Sequence, residues 1–241
     1  MWKQIKCLKD KEEPFIELPI EKPLRIYLNG RKLTTAMVSP TNEKSFVIGH
    51  LFSEGIISDY DDIESIRIDG KESSVLSEKA SFRESEGLIV SGCGSGNAYN
   101  IDTPEVEPRL EINIKQISDA MIELLEKFKN ESGGVHSAGL FSKEKKFLVR
   151  DIGRHNCIDK IIGMGVKNEI DFSQTFVVST GRLSSDMVKK CANVGIPIAA
   201  SHKSSTSLAV EIAQKSKISL IIDTGTNNYI LTNFGQIKKN K

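Results

Sequence analysis

The chain has 241 residues, and 33 Lys and Arg against 32 Asp and Glu give it a formal net charge of +1. This length allows a substantial buried core and favours two domains over one. The balanced charge excludes a general attraction to nucleic acid or to an anionic membrane, so any recognition of anions must be local. No apolar run reaches the ~18 residues of a membrane span and the first residues form no secretion signal, so we expect a cytoplasmic protein.

The N-terminal half predicts a small, mainly β domain covering residues 15–108. Alternating apolar residues on both sides of Asn29-Gly30, and again near Asp69-Gly70, indicate two β-hairpins with tight turns. A helix is expected between them. Residues 88–90 are expected to form a short buried strand that leads into a glycine-rich loop around Cys93.

Residues 109–241 predict an α/β domain. Its first element is an amphipathic helix near residues 117–128, and strands and helices then alternate up to a last predicted strand at residues 218–222. This alternation is typical of a partly parallel sheet with helices on its faces.

Four polar loops follow the carboxyl ends of the predicted strands, at residues 151–156, 180–182, 201–205 and 223–228. In sheets of this kind, ligands bind where such loops converge. All four loops are rich in hydroxyl, amide, glycine and basic residues. We therefore expect them to form a site for a polar, phosphorylated ligand.

The first of these loops lies at a predicted strand-to-helix turn. Asn156 is expected to cap the helix, with Asp159 at the acidic position of a capping box. Arg154, His155 and Lys160 add cationic or hydrogen-bonding groups to the partial positive charge of a helix N-terminus, which favours an anion pocket. A solvated loop with a good cap would have the same pattern, so both interpretations stay open.

Four widely spaced cysteines show no C-x-x-C pair, so neither a zinc ribbon nor a disulfide framework is expected. Cys93 lies between glycines, which indicates an exposed thiol on a loop, although a small residue tolerated in a turn is the other interpretation. Cys157, in the first turn of a helix beside basic residues, has the better local reason for a lowered pKa, and a packing role is equally ordinary there. Cys191 is expected in the core and Cys7 in an unstructured segment.

Zinc-dependent deamination can be tested on the same loops. Zinc deaminases need H-x-E for a ligand and a general acid/base, and P-C-x-x-C for the remaining ligands. Here the first turn has His155-Asn156-Cys157, and the next helix follows Gly181-Arg182. Because the glutamate and the cysteine pair are both absent from these positions, this activity is set aside and no metal site is expected.

A long run of residues, 151–156 with 159–160, matches the motif D-x-G-R-H-N-x-x-D-K of one known family. The other matching segments, in the family's order, are residues 21–24 with 29–30, 37–40, 49–57, 133–138, 180–184 and 206–210. On these residues the chain resembles the formate dehydrogenase accessory sulfurtransferases (FdhD) over most of its length.

The resemblance implies an accessory protein that moves sulfur. Such proteins take a persulfide sulfur from a cysteine desulfurase and pass it to the molybdenum or tungsten bis(pterin guanine dinucleotide) cofactor, before that cofactor enters the formate dehydrogenase apoenzyme. The resemblance also implies an α/β (α+β) fold, with a cytidine-deaminase-like three-layer α/β/α C-terminal domain beside the smaller, mainly β domain. A homodimer is expected, and GDP or another guanine nucleotide is a further expected ligand.

The resemblance also assigns residues. Cys93 would carry the persulfide, and the cofactor would be held by residues of the polar loops. These residues are Arg154, His155, Asn156, Lys160, Thr180, Gly181, Arg182, Ser204, Ser205, Ile222, Asp223, Thr224, Gly225 and Asn227. His136 either lines the same site or only binds a backbone carbonyl, and the sequence does not decide between these roles.

Two departures from the family pattern affect the mechanism. The family has C-G-x-C-G where this chain has Cys93-Gly94-Ser95-Gly96-Asn97, and the loop at residues 222–225 lacks the arginine usual there. One thiol can still hold a persulfide, because the acceptor attacks the outer sulfur and needs no resolving thiol. The lost cysteine favours an alternative, a cofactor-binding chaperone that delivers the cofactor without moving sulfur. A third hypothesis places the sulfur on Cys157.

Overall fold

The computed structural model of the chain describes residues 1–7, 9, 13–81, 103–107, 109–131 and 133–238. Within these residues it is a mixed α/β protein with five α-helices and two larger sheets. The predicted strand at residues 88–90 and the loop with Cys93 lie outside the described residues. Among those described, no helix combines the length and the apolar character needed to cross a bilayer.

The N-terminal part contains a four-stranded sheet and one helix. Its elements are β1 (Trp2–Lys6), β2 (Phe15–Pro19), β3 (Lys22–Leu28), β4 (Arg31–Val38), α1 (Glu43–Ser53), β5 (Ser65–Asp69) and β6 (Glu72–Leu76). The sheet has the order β4-β3-β6-β5, and both predicted hairpins are present in it. At the first turn Asn29 and Gly30 have φ angles of 50° and 77°, which suit the tight turn that joins antiparallel strands.

β1 and β2 pair with each other in a separate two-stranded sheet that the sequence did not predict. The guanidinium of Arg150 lies 5.3 Å from the ring centroid of Trp2 and 5.2 Å from that of Phe128, so it holds β1 against the C-terminal part. The Cys7 thiol donates to the Pro14 carbonyl at 3.5 Å. The expectation of an unstructured N-terminal segment is therefore wrong. The sequence did not reveal this strand pair because residues 7–14, which connect the two strands, carry no short-turn signature.

The C-terminal part contains a six-stranded sheet and four helices. Its elements are β7 (Ile112–Asn113), α2 (Ile114–Phe128), β8 (His136–Phe141), β9 (Lys146–Asp151), α3 (Arg154–Lys167), β10 (Phe176–Ser179), α4 (Ser185–Val194), β11 (Ile198–Ser201), α5 (Ser207–Lys215), β12 (Ser219–Asp223), β13 (Asn228–Thr232) and β14 (Ile237–Lys238). β7 and β14 form a separate short pair.

The six-stranded sheet has the order β13-β12-β11-β10-β8-β9. β10, β11 and β12 are parallel neighbours, whereas β8 runs antiparallel to both β9 and β10. β9, β10, β11 and β12 therefore all end at one edge of the sheet, which we call the carboxyl edge. The predicted partly parallel sheet is confirmed.

Helices cover both faces of this sheet. Val178, Ile198 and Ile221 belong to the core cluster that contains α2, and Val177 and Ala199 belong to the cluster that contains α3, α4 and α5. Neighbouring residues of one strand thus bury their side chains on opposite faces, as strand geometry requires. The α/β fold class with a three-layer α/β/α arrangement is confirmed, and the more specific likeness to cytidine deaminases stays a prediction.

α1 of the N-terminal part packs directly against α3 of the C-terminal part. A Cβ atom at Gly49 would lie 1.7 Å from the backbone oxygen of Asp159, and one at Gly163 would lie 1.9 Å from that of Ser45. The two helices therefore approach so closely that only glycine fits at these positions. The predicted division into residues 15–108 and 109–241 stays a prediction.

A buried ion pair joins β9, α3 and the segment after β4. The Lys160 Nζ lies 2.5 Å from Asp151 Oδ2, and both side chains are fully buried. The same oxygen accepts from the Ser39 backbone N–H at 3.1 Å, and the Asn156 amide donates to Asp151 Oδ1 and to the Met37 carbonyl, both at 2.7 Å. Each charge thus has a partner, which a buried ion pair needs to be stable.

The predicted helix cap of Asn156 and Asp159 is wrong. α3 begins one turn earlier than that cap requires, with Gly153 as its N-cap residue. The Asn156 amide is occupied by Asp151, and the Asp159 carboxylate faces α1 and α4, where it accepts from Ser53 Oγ at 2.9 Å. Contacts with other elements use the side chains of Asn156 and Asp159, so neither caps the helix.

Asp159 belongs to a second buried polar cluster between α1, α3 and α4. Lys190 Nζ lies 2.8 Å from Asp159 Oδ1 and 2.7 Å from Glu54 Oε1, and His50 Nδ1 lies 3.5 Å from Asp159 Oδ2. Burial alone would raise the pKa of Asp159, but the attraction of Lys190 and His50 is larger and lowers that pKa to about 2.

Replacing Lys160 with Met should destabilise the protein strongly, because it leaves the Asp151 carboxylate buried without its cation. We expect Lys160→Met to lower the free energy of unfolding in urea by about 3 kcal/mol or more, and Asp151→Asn in the same chain to recover part of that loss. Lys167→Met, on the exposed side of the same helix, is the matched control. If Lys160→Met and Lys167→Met lowered the free energy of unfolding equally, the role of the ion pair would be contradicted.

The lowered pKa of Asp159 predicts loss of stability in acid. A carboxyl group with a depressed pKa in the folded protein stabilises it above the unfolded pKa of about 4, and this contribution disappears as the pH falls towards 2. The free energy of unfolding should therefore fall less between these pH values in Asp159→Asn than in the unchanged chain. Parallel pH profiles of the two proteins would refute this.

Candidate functional site

The four polar loops predicted to converge do lie together at the carboxyl edge. The Leu183 N–H donates to the Ser204 carbonyl at 3.0 Å, which joins the loops after β10 and β11. His202 Nδ1 lies 3.0 Å from the Asp223 carbonyl, which joins the loops after β11 and β12. The loop after β9 leads into Arg154, whose side chain lies beside the loop after β10.

A cavity of about 450 Å³ opens at this edge, within the size range of small-molecule sites. It is lined by Val135, His136, Arg154, Thr180, Gly181, Arg182, Lys203 and Ser204. Three of these side chains are cationic and two carry hydroxyl groups. In a protein with a net charge of +1, this is a local concentration of positive charge.

The cations come from three different elements of the fold. Arg154 is the first residue of α3, where backbone N–H groups and the helix dipole also favour negative charge. Arg182 follows β10 and Lys203 follows β11, and both are exposed. Guanidinium and ammonium groups form strong, charge-assisted hydrogen bonds with phosphate oxygens, so this wall suits a phosphorylated ligand.

Gly181 allows the wall to be closely packed. A Cβ atom at this position would lie 3.0 Å from Arg154 Cβ and 3.3 Å from His136 Nδ1. These distances are shorter than ordinary van der Waals contacts, so a larger residue would displace one of the two side chains. Glycine therefore permits Arg154 and His136 to stand side by side in the cavity.

Two buried serines at the strand ends hold the pocket loops in shape. Ser179 Oγ accepts from the Gly181 N–H at 3.1 Å. Ser201 Oγ accepts from the N–H groups of Lys203 and Ser204, at 3.0 and 3.1 Å, and donates to the Gly181 carbonyl at 3.0 Å. The cavity residues are thus positioned by hydrogen bonds from the sheet itself.

His136 lines the cavity, which answers the question that the sequence left open. It begins β8 opposite Asp151 of β9, and its backbone carbonyl accepts from the Cys157 thiol at 3.4 Å. Burial and then the positive charge of Arg154 lower the pKa of His136, while Asp151 opposes them.

Five predicted site residues line this cavity, namely Arg154, Thr180, Gly181, Arg182 and Ser204. Sequence reasoning missed Val135 and Lys203. Lys203 belongs to the predicted loop at residues 201–205, and its charge beside the chosen serines was the signal that could have identified it.

Three residues predicted to contact the ligand instead face the protein interior. Lys160 and Asn156 are held by Asp151, as described above, and His155 has 7% of its surface exposed, with Nε2 3.0 Å from Ser184 Oγ. Burial and then Arg154 lower the pKa of His155 to about 4, so its imidazole is neutral near pH 7. The prediction of direct contact is corrected for all three, because neighbouring elements cover their side chains.

The remaining predicted residues lie beside the cavity and do not line it. They are Ser205, Ile222, Asp223, Thr224, Gly225 and Asn227. Ser205 Oγ donates to the Leu183 carbonyl at 3.2 Å, and Asp223 Oδ1 accepts from the Gly225 N–H at 2.8 Å. Thr224, Gly225 and Asn227 are exposed, and their contact with a ligand stays a prediction.

The two buried thiols among the described residues, Cys157 and Cys191, are poor candidates for sulfur chemistry. Cys157 is fully buried, and burial, followed by the charge of Asp151, raises its pKa, so the hypothesis that it carries the sulfur is corrected. Desolvation there outweighs the helix N-terminus that suggested a lowered pKa. Burial also raises the pKa of Cys191, to about 12, and its predicted place in the core is confirmed. Cys93 lies outside the described residues.

Comparison with known proteins identifies the family. Residues 19–229 match the model of the FdhD/NarQ family. A protein named sulfur carrier protein FdhD from Wolinella succinogenes is 30% identical, over 96% of this chain and 85% of the relative. One of the same name from Bacillus pumilus is 34% identical over 85% of this chain and 84% of the relative.

A solved structure supports the same conclusion. A crystal structure described as that of a formate dehydrogenase accessory protein from Desulfotalea psychrophila superposes with a TM-score of 0.80 and 25% identity, over 99% of each chain. With the family match over residues 19–229, the chain belongs to the FdhD/NarQ family.

Proposed function

We propose that this protein is a sulfur carrier for formate dehydrogenase, which accepts a persulfide sulfur on Cys93 from a cysteine desulfurase. It passes that sulfur to a molybdenum or tungsten bis(pterin guanine dinucleotide) cofactor destined for the formate dehydrogenase apoenzyme. The names of its relatives support the carrier role. The family resemblance supports action in the cytoplasm as a homodimer.

The observation that carries the proposal is the cationic cavity at the carboxyl edge. Each guanine dinucleotide contains a pyrophosphate group, and Arg154, Arg182 and Lys203 present three cations to one open cavity. A cavity of about 450 Å³ suits one nucleotide end of such a cofactor better than the whole molecule. GDP is therefore a suitable probe of the site.

The proposed transfer needs only one thiol. The outer sulfur of the Cys93 persulfide forms a bond to the acceptor while the sulfur–sulfur bond breaks, and Cys93 leaves as a thiolate. The burial of Cys157 and Cys191 supports this choice, because the desulfurase could not reach either thiol in the folded protein.

Labelling with sulfur tests the assignment to Cys93. After incubation with a desulfurase and cysteine, intact-mass analysis should show one added, reducible sulfur on the unchanged chain and on Cys7→Ser, and none on Cys93→Ser. Labelling that survives in Cys93→Ser would remove Cys93 as the carrier.

The alternative is a chaperone that delivers the cofactor and moves no sulfur, favoured by Gly96 at the position of the family's second cysteine. It predicts that Cys93→Ala still supports maturation of formate dehydrogenase. Loss of maturation with normal nucleotide binding would exclude the chaperone.

Removing one cation from the cavity should weaken nucleotide binding. Arg154→Ala and Arg182→Ala each lose a charge-assisted contact worth about 2 kcal/mol, so the dissociation constant for GDP should rise roughly thirtyfold in each. Arg67→Ala, an exposed arginine on β5, is the control and should bind like the unchanged chain. Calorimetric affinities that stay the same in both cavity variants would contradict the site.

A further inference from the structure

His136 is the only imidazole that lines the cavity among the described residues, and neither the motif matches nor the comparisons give it a role. Its Nδ1 atom and the Arg154 side chain both lie within van der Waals distance of the position that a Cβ of Gly181 would occupy. The imidazole and the arginine therefore form adjacent parts of one wall, close enough for a single anionic group to contact both.

The charged groups near His136 come from several elements of the fold. Arg154 of α3 opposes protonation, and Arg182 and Lys203 add further positive charge to the same cavity. Asp151 of β9 favours protonation, but its carboxylate is already paired with Lys160. Cys157 contributes an uncharged thiol. Together with partial burial, these groups favour the neutral imidazole when the cavity contains no anion.

An anionic ligand reverses this balance. A phosphate group beside Arg154 cancels part of the repulsion from the guanidinium, and its oxygens accept a hydrogen bond from a protonated imidazole more strongly than from a neutral one. The energetic gain is available only while the ligand is present. Protonation and binding are then thermodynamically linked, and each must strengthen the other.

We propose that His136 takes up one proton from solvent when a phosphate-bearing ligand enters the cavity, and then donates a hydrogen bond to that ligand. This inference rests on the proposed function, since it concerns the same cavity. It adds a fourth cationic contact that exists only in the occupied site. The cavity consequently selects ligands by their negative charge and releases them more readily as the pH rises.

The sign of the pH dependence follows from this linkage. Protonation of His136 is weaker in the free protein than in the complex, so binding should tighten as the pH falls through the interval between the two titrations. Because burial and Arg154 lower the pKa of His136 in the free protein, the titrations should cover about pH 5 to pH 8, the range in which imidazole side chains change charge. The terminal phosphate of GDP also titrates in this range, so only the difference from a variant without the imidazole is informative.

Calorimetric titration of the full chain with GDP tests the inference. Each titration is made at several pH values in two buffers with different ionisation enthalpies, and the difference between them gives the number of protons taken up. The unchanged chain should take up more protons than His136→Gln, and the difference should not exceed one proton. The ratio of their affinities should rise about threefold to tenfold from pH 8 to pH 6. Arg67→Ala, on β5 of the N-terminal sheet and away from the cavity, should behave like the unchanged chain.

The outcomes separate this inference from the proposed function. Equal proton uptake by the unchanged chain and His136→Gln, with GDP bound by both, would overturn the role of His136 and leave the nucleotide site standing. A constant affinity ratio at every pH would also overturn it, because it indicates a contact without proton transfer. No binding of GDP by the unchanged chain at any pH would refute the proposed nucleotide site and this inference with it.

A second measurement removes the dependence on a folded variant. The Cε1 proton of His136 can be followed by NMR in the unchanged chain, with and without GDP. Its titration midpoint should move to higher pH when GDP is bound. A midpoint that does not move would overturn the inference even if His136→Gln failed to fold.

Discussion

Asp151 and Lys160 share an ion pair that no solvent reaches, and the position of the candidate site depends on it. The carboxylate ends β9, the ammonium group belongs to α3, and Ser39, from the segment after β4, donates a backbone hydrogen bond to the same carboxylate. Burying two charges is costly, so such a pair persists where each remaining hydrogen-bonding position is also used. Here its geometric effect is to fix the first turn of α3, and with it Arg154, at the carboxyl edge.

The buried polar cluster around Asp159 and the close contact between α1 and α3 have a common effect. Lys190 connects Asp159 of α3 with Glu54 beside α1, while Gly49 and Gly163 let the two helix backbones touch. Because the backbones of α1 and α3 touch with no side chains between them, the two helices have little room to shift against each other. The ionic cluster beside this contact favours one orientation of the helices. The N-terminal sheet is therefore held against the helix layer of the C-terminal part by both shape and charge.

Sequence reasoning succeeded where the signal was local. The turns at Asn29-Gly30 and Asp69-Gly70, the alternation of strands and helices, and the convergence of the four polar loops all follow from spacing within short segments. It failed where a contact joins distant segments. Lys160 and Asn156 have the sequence pattern of pocket residues, but the segment around Ser39, more than a hundred positions earlier, covers them. The same limit explains Cys157, because a helix terminus can be recognised from sequence and the layer that buries it cannot.

The contact between α1 and α3 has a consequence for ligand entry. α3 starts with a cavity residue and crosses α1 backbone to backbone, with no side chain between them at Gly49 and Gly163. A displacement of α3 towards α1 would push the two backbones into each other. A ligand that enters the cavity therefore meets a helix N-terminus whose backbone is held in place, and adjustment is left to the exposed side chains of Arg182 and Lys203.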